Sequence, residues 1–198
     1  SYVCCAEQVA TMQRELVVQA RNGDLEAFTQ LLKVSLRRLT GVANLILRDS
    51  ELAQDAVQDA CLMAWRDLRA LRDPDAWDAW LHRLTVRACY KVARKERRRS
   101  MVELHVAPEP RSVPDRDLST DVVERDWLGR ELGRLDMDQR AVMVLHYYLD
   151  LPVAEVAEIL DIPYGTAASR LHRGLEALRA SMRLGAEVDS GLTTERSR

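Results

Sequence analysis

The stretch EVAEILDIPYGTAASRLHRGLEALRASM, residues 155–182, constrains the fold more than any other part of the chain. Apolar residues recur every three or four positions, which is the period of an amphipathic helix. The repeat is interrupted at Asp161-Ile162, and Pro163 suits the first position of a second helix. Two helices joined by so short a turn predict a helix-turn-helix. The residues expected to face inward are Val153, Val156, Ala157, Leu160, Leu171, Leu175, Leu178 and Met182.

The second helix of this motif also carries a polar band. It consists of Thr166, Ser169, Arg170 and Arg173, with His172 at its margin. Such a band suits the major groove of DNA. We expect Thr166 to meet a phosphate at the helix N-terminus and Arg173 to contact guanine. Arg170 is suited equally to reading a base and to pairing with an acid of the preceding helix, such as Glu155.

The helical period extends through the rest of the chain, and no segment alternates with period two for long enough to form a sheet. The fold class is therefore predicted to be all-α. The 198 residues, 47% hydrophobic and 30% charged, suffice for one domain or two small ones. Because no apolar run reaches the length of a membrane span and no secretory signal is evident, we expect a cytoplasmic protein without stable membrane insertion.

An acidic, proline-containing segment divides the chain into two halves. Residues 103–121 carry five acids against two arginines, a net charge of −3, and include Pro108, Pro110 and Pro114. No helical period is sustained there, which is typical of an extended linker. We predict two small helical domains, residues 1–99 and 121–184, joined by a flexible acidic linker at 100–120 and followed by a polar tail at 185–198.

In the first half, breaks at Asn22-Gly23-Asp24 and Arg48-Asp49-Ser50 separate predicted helices, with Asp24 as an N-cap. The apolar face of the helix between these breaks is predicted to include Phe28, Leu32, Ser35, Leu39, Val42, Ala43 and Ile46. On the outer side of the next helix, Asp55, Gln58, Asp59 and Leu62 share one face. Taken alone, this acidic face is a solvated surface. A magnesium enzyme would need a phosphate-binding glycine loop or a second acidic cluster, and neither accompanies it.

The helix that starts near Pro74 has one apolar side and one cationic side. Its predicted buried residues are Trp77, Leu81, Leu84, Ala88 and Val92. The other side presents Arg83, Arg87, Lys91, Arg94 and Arg98, which we call the cationic ridge. A ridge without an interposed acid favours nucleic acid over a merely solvated face. Trp77 and Trp80 are suited to base stacking, although core packing is expected for at least one of them.

Cys4 and Cys5 are adjacent, whereas Cys61 and Cys89 fall alone within helical patterns. The four histidines are scattered too, so no spacing of a metal site emerges. We therefore expect no metal and no cofactor.

Three segments, in this order, resemble the extracytoplasmic-function sigma factors of bacterial RNA polymerase. DAVQDACLMAWRDL looks like their polymerase-binding segment, and WLHRLTVRACYKVARKERRR looks like the helix that engages the −10 element. EVAEILDIPYGTAASRLHRGLEALR looks like the reader of the −35 element. The resemblance covers about residues 24–183. It departs from the family at Asp161, where glycine is usual, at Arg87, where asparagine is common, and at Ala168, where a basic residue is frequent.

The resemblance implies a dissociable factor that binds core RNA polymerase and promoter DNA, is not an enzyme, and is held by an anti-sigma factor. The implied polymerase contacts are Asp55, Gln58, Asp59 and Leu62. The implied −10 contacts are Trp80, Arg83, Arg87, Lys91 and Arg94. The implied −35 contacts are Thr166, Ser169, Arg170, His172 and Arg173. A stand-alone helix-turn-helix repressor or activator is the alternative, but it leaves the acidic face, the ridge and the linker unexplained.

Overall fold

The structure, a computed structural model, describes the backbone of residues 2–102 and 131–195 and the side chains of residues 11–99 and 131–183. All regular elements in these ranges are helical, which confirms the predicted fold class for the described residues. The chain divides into two compact units, residues 1–113 and 114–198. Most of the predicted linker at 100–120, residues 121–130 of the predicted second domain, and the side chains of Cys4 and Cys5 lie outside the described residues. The same holds for the side chains of the predicted polar tail at 185–198.

The described part of the first unit forms four helices: α1 (Tyr2–Arg21), α2 (Leu25–Leu47), α3 (Ser50–Asp67) and α4 (Trp77–Val102). Short 3₁₀ turns at Leu68–Ala70 and Pro74–Ala76 connect the last two. The predicted breaks are both observed. Gly23 has φ +100°, and the Asp24 carboxylate accepts from the N–H groups of Glu26 and Ala27 at 2.9 and 3.1 Å. Asp49 caps α3 in the same way, so each helix start is fixed by a local side chain.

An aromatic cluster lies at the centre of this unit. Trp77 is fully buried, and its ring lies 6.2 Å from that of Phe28 and 5.8 Å from that of Trp80. Phe28 also contacts Trp65 at 4.9 Å. The whole predicted apolar side of α4 is buried: Trp77, Leu81, Leu84, Ala88 and Val92. The inner face of α4 was therefore correctly identified from its period.

The predicted stripe of α2 was partly wrong. Leu31 is buried, whereas Leu32 and Ser35 are only half-buried. Leu31 and Leu32 lie about 100° apart around the helix, so the rotation of α2 decides which of the two side chains reaches the core.

The second unit contains α5 (Met137–Met143), a π-helical turn (Val144–Tyr148), α6 (Val153–Leu160) and α7 (Tyr164–Glu195). Residues 131–134 are also helical. The two helices of the predicted helix-turn-helix are α6 and α7. Between them Asp161 adopts a left-handed conformation, φ 56° and ψ 49°, and the Ile162 N–H donates to the Ala157 carbonyl at 3.0 Å. Aspartate thus takes the place that glycine fills in the family pattern.

The inner face of this motif differs from the prediction. On α6, Ile159 is buried, whereas Val153 and Leu160 are half-buried. On α7 the buried residues are Ala167 and Gly174; Leu171, Leu175 and Leu178 are half-buried, and Met182 is 54% exposed. A Cβ on Gly174 would lie only 3.1 Å from the Met143 Cγ. Glycine at position 174 therefore lets α7 lie close to α5.

Pro163 occupies the position before the helix and not, as predicted, the first helical position. Helix α7 begins at Tyr164, and the Pro163 carbonyl accepts the N–H groups of Thr166 and Ala167 at 2.9 and 3.1 Å. Pro163 is thus the N-cap residue rather than the first helical residue.

No helix among the described residues is long and apolar enough to cross a membrane.

A buried imidazole makes the stability of the first unit depend on pH. His82 on α4 is 6% exposed, and burial lowers its pKa; Asp78 opposes this shift and Arg38 adds to it. Since the folded state then binds the proton less readily than the unfolded state, the full stability is present above pH of about 6.5 and declines as the pH falls.

We expect the free energy of unfolding to decrease between pH 7 and pH 5 and the variant His82→Gln to show a smaller decrease. Urea unfolding followed by tryptophan fluorescence measures this, because three of the four tryptophans belong to the first unit. His172→Gln, at a side chain that is 69% exposed, is the matched control and should keep the wild-type slope. An unchanged slope in His82→Gln would contradict the prediction.

Candidate functional site

The acidic face of α3 consists of Asp55, Gln58, Asp59 and Leu62. Asp55, Gln58 and Leu62 are exposed, and Asp59 is half-buried. The opposite side of α3 is buried through Ala53, Ala56, Val57, Ala60 and Ala64. This burial orients the helix, so the four predicted polymerase contacts lie together on one outward face.

The cationic ridge lies on the outer side of α4, opposite the buried stripe. Arg87, Lys91 and Arg94 are exposed, and Arg83 is half-buried. The Arg83 Nε atom is buried and makes no hydrogen bond with any residue that the structure describes. Trp80, the predicted stacking residue, is half-buried beside Trp77. The Trp77 side chain is therefore entirely part of the core, whereas part of the Trp80 side chain is accessible to solvent.

The acidic face and the ridge meet at one ion pair. The Lys91 Nζ lies 2.9 Å from an Asp59 carboxylate oxygen, and the two side chains are 67% and 36% exposed. Because Asp59 is on α3 and Lys91 is on α4, this contact spans the two helices. Sequence spacing within a single helix could not have revealed it.

The polar band of α7 contains a chain of short contacts. The Ser169 hydroxyl donates to the Thr166 carbonyl at 3.0 Å, and the Arg173 guanidinium donates to the Ser169 oxygen at 3.4 Å. Arg173 and His172 are exposed, and the His172 Nε2 lies 3.4 Å from Glu176. Of the five predicted residues, His172 and Arg173 are therefore exposed. Thr166 and Ser169 support Arg173 through these hydrogen bonds.

Arg170, the fifth, is turned toward the interior of the unit. Its guanidinium pairs with the Asp138 carboxylate in the first turn of α5, and its side chain is 25% exposed. Arg170 therefore forms the ion pair that was one of its two predicted roles, but the acid is Asp138 and not Glu155. The reason is that α5 packs along this side of α7.

The N-terminus of α7 offers two further groups. The Thr166 N–H donates to the Pro163 carbonyl. The helical N–H groups that precede this first hydrogen bond are those of Tyr164 and Gly165. The space around Gly165 is open, because a Cβ there would meet nothing within 4 Å. Sequence reasoning named only the Thr166 side chain at this end of the helix and did not single out these two backbone groups.

The two described cysteines, Cys61 and Cys89, are ordinary thiols. Burial raises the pKa of Cys89 to about 12 and also raises the pKa of the half-buried Cys61. Both are free, and both are kept protonated at neutral pH. Among the described side chains, no three histidine, cysteine or acidic residues are grouped to hold a metal ion.

Comparison with known proteins accounts for both units. The family model for Sigma-70 region 2 matches residues 31–99, and that for Sigma-70, region 4 matches residues 125–178. The ECF RNA polymerase sigma factor SigM of Mycobacterium tuberculosis is 35% identical over 159 residues, which cover 80% of this chain and 79% of SigM. SigW of Bacillus subtilis is 26% identical over 182 residues, covering 87% and 97% of the two chains.

A solved structure shows the same fold. The sigma factor RpoE of Bartonella quintana, crystallised with the anti-sigma factor NepR, superposes with a TM-score of 0.68 at 25% identity. The match covers 80% of this chain and 98% of RpoE. These relatives confirm the predicted class of a transcription factor rather than an enzyme. The chain belongs to the extracytoplasmic-function sigma factors of RNA polymerase, with a region 2 and a region 4 domain, and recognises promoters.

Proposed function

We propose that this sigma factor binds core polymerase through the acidic face of α3, holds the −10 region along the ridge of α4 and reads the −35 element with α7. The observation that carries the proposal is that each predicted surface faces outward from a helix whose other side is buried. A stand-alone repressor or activator would use only the α7 surface. Transcription from a matched promoter by purified core polymerase and this chain tests the proposal, because a stand-alone regulator would not support initiation.

The polymerase contact on the acidic face combines charge with one apolar side chain. Asp55, Gln58 and Asp59 share this face with Leu62, which is 69% exposed. We place this face against the clamp helices of the largest polymerase subunits, as the family resemblance implies. The carboxylates would steer and orient the contact, and Leu62 would lose its exposure to water on binding.

Asp55→Lys should weaken binding to core polymerase by roughly tenfold, because it places a like charge against a cationic partner. The fold should be unaffected, since Asp55 is exposed and has no ion pair among the described residues. Affinity is measured by titrating labelled sigma factor with core polymerase. Glu15→Lys, at an exposed side chain of α1, is the matched charge control. Equal affinities for the two variants would remove Asp55 from the interface.

For the −10 region, we propose that the ridge binds phosphates while the loop at 71–76 captures an unstacked base. Leu71 is buried and anchors this loop, and the Asp73 carboxylate caps the 3₁₀ turn by accepting from the Asp75 N–H at 3.0 Å. The loop is thus held in one conformation beside the start of α4. Phosphate contacts would set the register of the DNA and the loop would supply specificity.

For the −35 element, Arg173 is the proposed base reader. It is exposed, and among the described residues its guanidinium is held only by the 3.4 Å contact with Ser169, so it can extend toward a guanine. The N–H groups of Tyr164 and Gly165, together with the Thr166 hydroxyl, would bind a phosphate. Arg170 would position α7 through Asp138 rather than read a base.

Arg173→Ala should reduce discrimination at one base pair of the −35 element by about 1–3 kcal/mol. Binding to every single-base variant of the element measures this. Thr166→Ala, the control, should weaken binding to all variants alike, because phosphate contacts carry no sequence information. Arg170→Ala should instead lower the melting temperature, since it removes the contact with Asp138. An unaltered preference profile in Arg173→Ala would show that this side chain reads no base.

We further propose that an anti-sigma factor holds this chain until a signal releases it. This rests on the resemblance and on the RpoE structure, which contains such a partner. The acidic linker would thread the cationic RNA-exit channel of polymerase by mimicking the charge of RNA. These roles place the protein in the cytoplasm, with polymerase.

A further inference from the structure

Helix α1 contacts the loop at 71–76 through side chains on one of its faces. The Arg14 guanidinium pairs with the Asp75 carboxylate at 2.9 Å. About two turns later on the same face, the Arg21 guanidinium donates to the Arg72 carbonyl at 3.4 Å. The loop is therefore tied to α1 near both of its ends.

The core fixes the direction of this face of α1. Val17 and Ala20, which lie between the two arginines, are 0% and 3% exposed. Just beyond the loop, the Gln13 amide donates to the Asp78 carboxylate in the first turn of α4 at 3.2 Å. Because α1 cannot rotate without exposing its buried side, its polar side chains are a fixed support for the loop.

The ion pair acts on a closed turn within the loop. In the segment 73–76, the Asp73 carboxylate accepts the Asp75 N–H at 3.0 Å, and the Asp73 carbonyl accepts the Ala76 N–H at 3.2 Å. Asp75 belongs to this turn, so its pair with Arg14 sets where the turn lies relative to α1.

We propose that Arg14 is a positioning residue for recognition of the −10 element: through Asp75, it holds the loop at 71–76 in the conformation that receives an unstacked base. This inference rests on the proposed function, because it takes that loop as the base-capturing segment. A site discriminates well only while its groups stay within about 0.5 Å of the productive geometry. A loop that is ordered before binding also loses less entropy when the base enters.

The effect of the pair on specificity is separable from its effect on charge. Arg14→Gln leaves the Asp75 carboxylate unpaired, and this charge repels DNA phosphates, whereas Asp75→Asn removes the carboxylate and frees a cation. The two variants should therefore shift overall affinity in opposite directions. Both lack the ion pair, so both should lose discrimination between bases, while the phosphate contacts of the ridge carry no sequence information.

The experiment uses holoenzyme formed from core polymerase and the full chain, with a pool of promoter fragments that carry random bases in the −10 element. Sequencing the bound fragments gives the base preference at each position, and titration gives the affinity for the whole pool. The variants are Arg14→Gln, Asp75→Asn, their combination and the conservative Arg14→Lys. Arg37→Gln is the matched control, since Arg37 is an exposed arginine of α2 without an ion pair among the described residues.

We expect Arg14→Gln and Asp75→Asn each to lower the preference at one position about two- to five-fold, and the combination to lose no more than either alone. Arg14→Lys should keep the wild-type profile, because an ammonium can make the same single contact. Arg37→Gln should change no preference. An unaltered profile in both Arg14→Gln and Asp75→Asn would overturn the inference, as would a change in Arg14→Gln alone. A merely structural role would lower the melting temperature and leave the profile as it is.

Asp73→Ala separates this inference from the proposed function, because it opens the turn from within the loop and leaves both partners of the ion pair in place. If Asp73→Ala alters the −10 preference while Arg14→Gln and Asp75→Asn do not, the loop reads DNA and only the positioning role of Arg14 is lost. If none of the three variants alters the preference, the loop captures no base and both the proposed role of the loop and this inference fail.

Discussion

The burial of Trp77 determines how the first unit presents its surfaces. This residue is the first of α4, has no exposed area, and packs against Phe28 and Trp80. Replacing such a side chain by alanine typically costs about 3–5 kcal/mol, so the helix cannot rotate about its axis without a large loss of stability. Because the buried stripe is fixed, the ridge on the opposite side is fixed as well. The orientation of the proposed DNA-binding surface is therefore a consequence of core packing.

In the second unit, small residues restrict the rotation of α7, as Trp77 restricts that of α4. Gly174 lets α7 approach α5, Ala167 is buried as well, and the pair of Arg170 with Asp138 ties α7 to α5. Close packing of backbones tolerates little displacement, because interiors contain few voids. Rotation of α7 is thus restricted by shape on one side and by charge on another, which leaves Arg173 outward.

Local chemistry explains which features could be predicted from sequence. The caps at Asp24 and Asp49 depend on residues two or three positions away, and the buried side of α4 follows from its own period. The pairs Lys91–Asp59 and Arg170–Asp138 join residues 32 positions apart, so they depend on how two helices are rotated against each other. The burial of Ala167 and Gly174 was missed for a related reason: a hydrophobic pattern favours leucines, whereas the closest helix contact selects for small side chains.

The left-handed turn at Asp161 has a consequence for how such proteins diverge. It sets the angle between α6 and α7 through backbone hydrogen bonds, and the inner face of α7 is held by small buried residues. The outward residues near Arg173 contact mainly one another within the same helix. They can therefore be exchanged by mutation with little effect on folding. Because the proposed −35 contacts lie on this exposed face, a duplicated gene for this chain could acquire a new promoter preference in single steps while the scaffold stayed as it was.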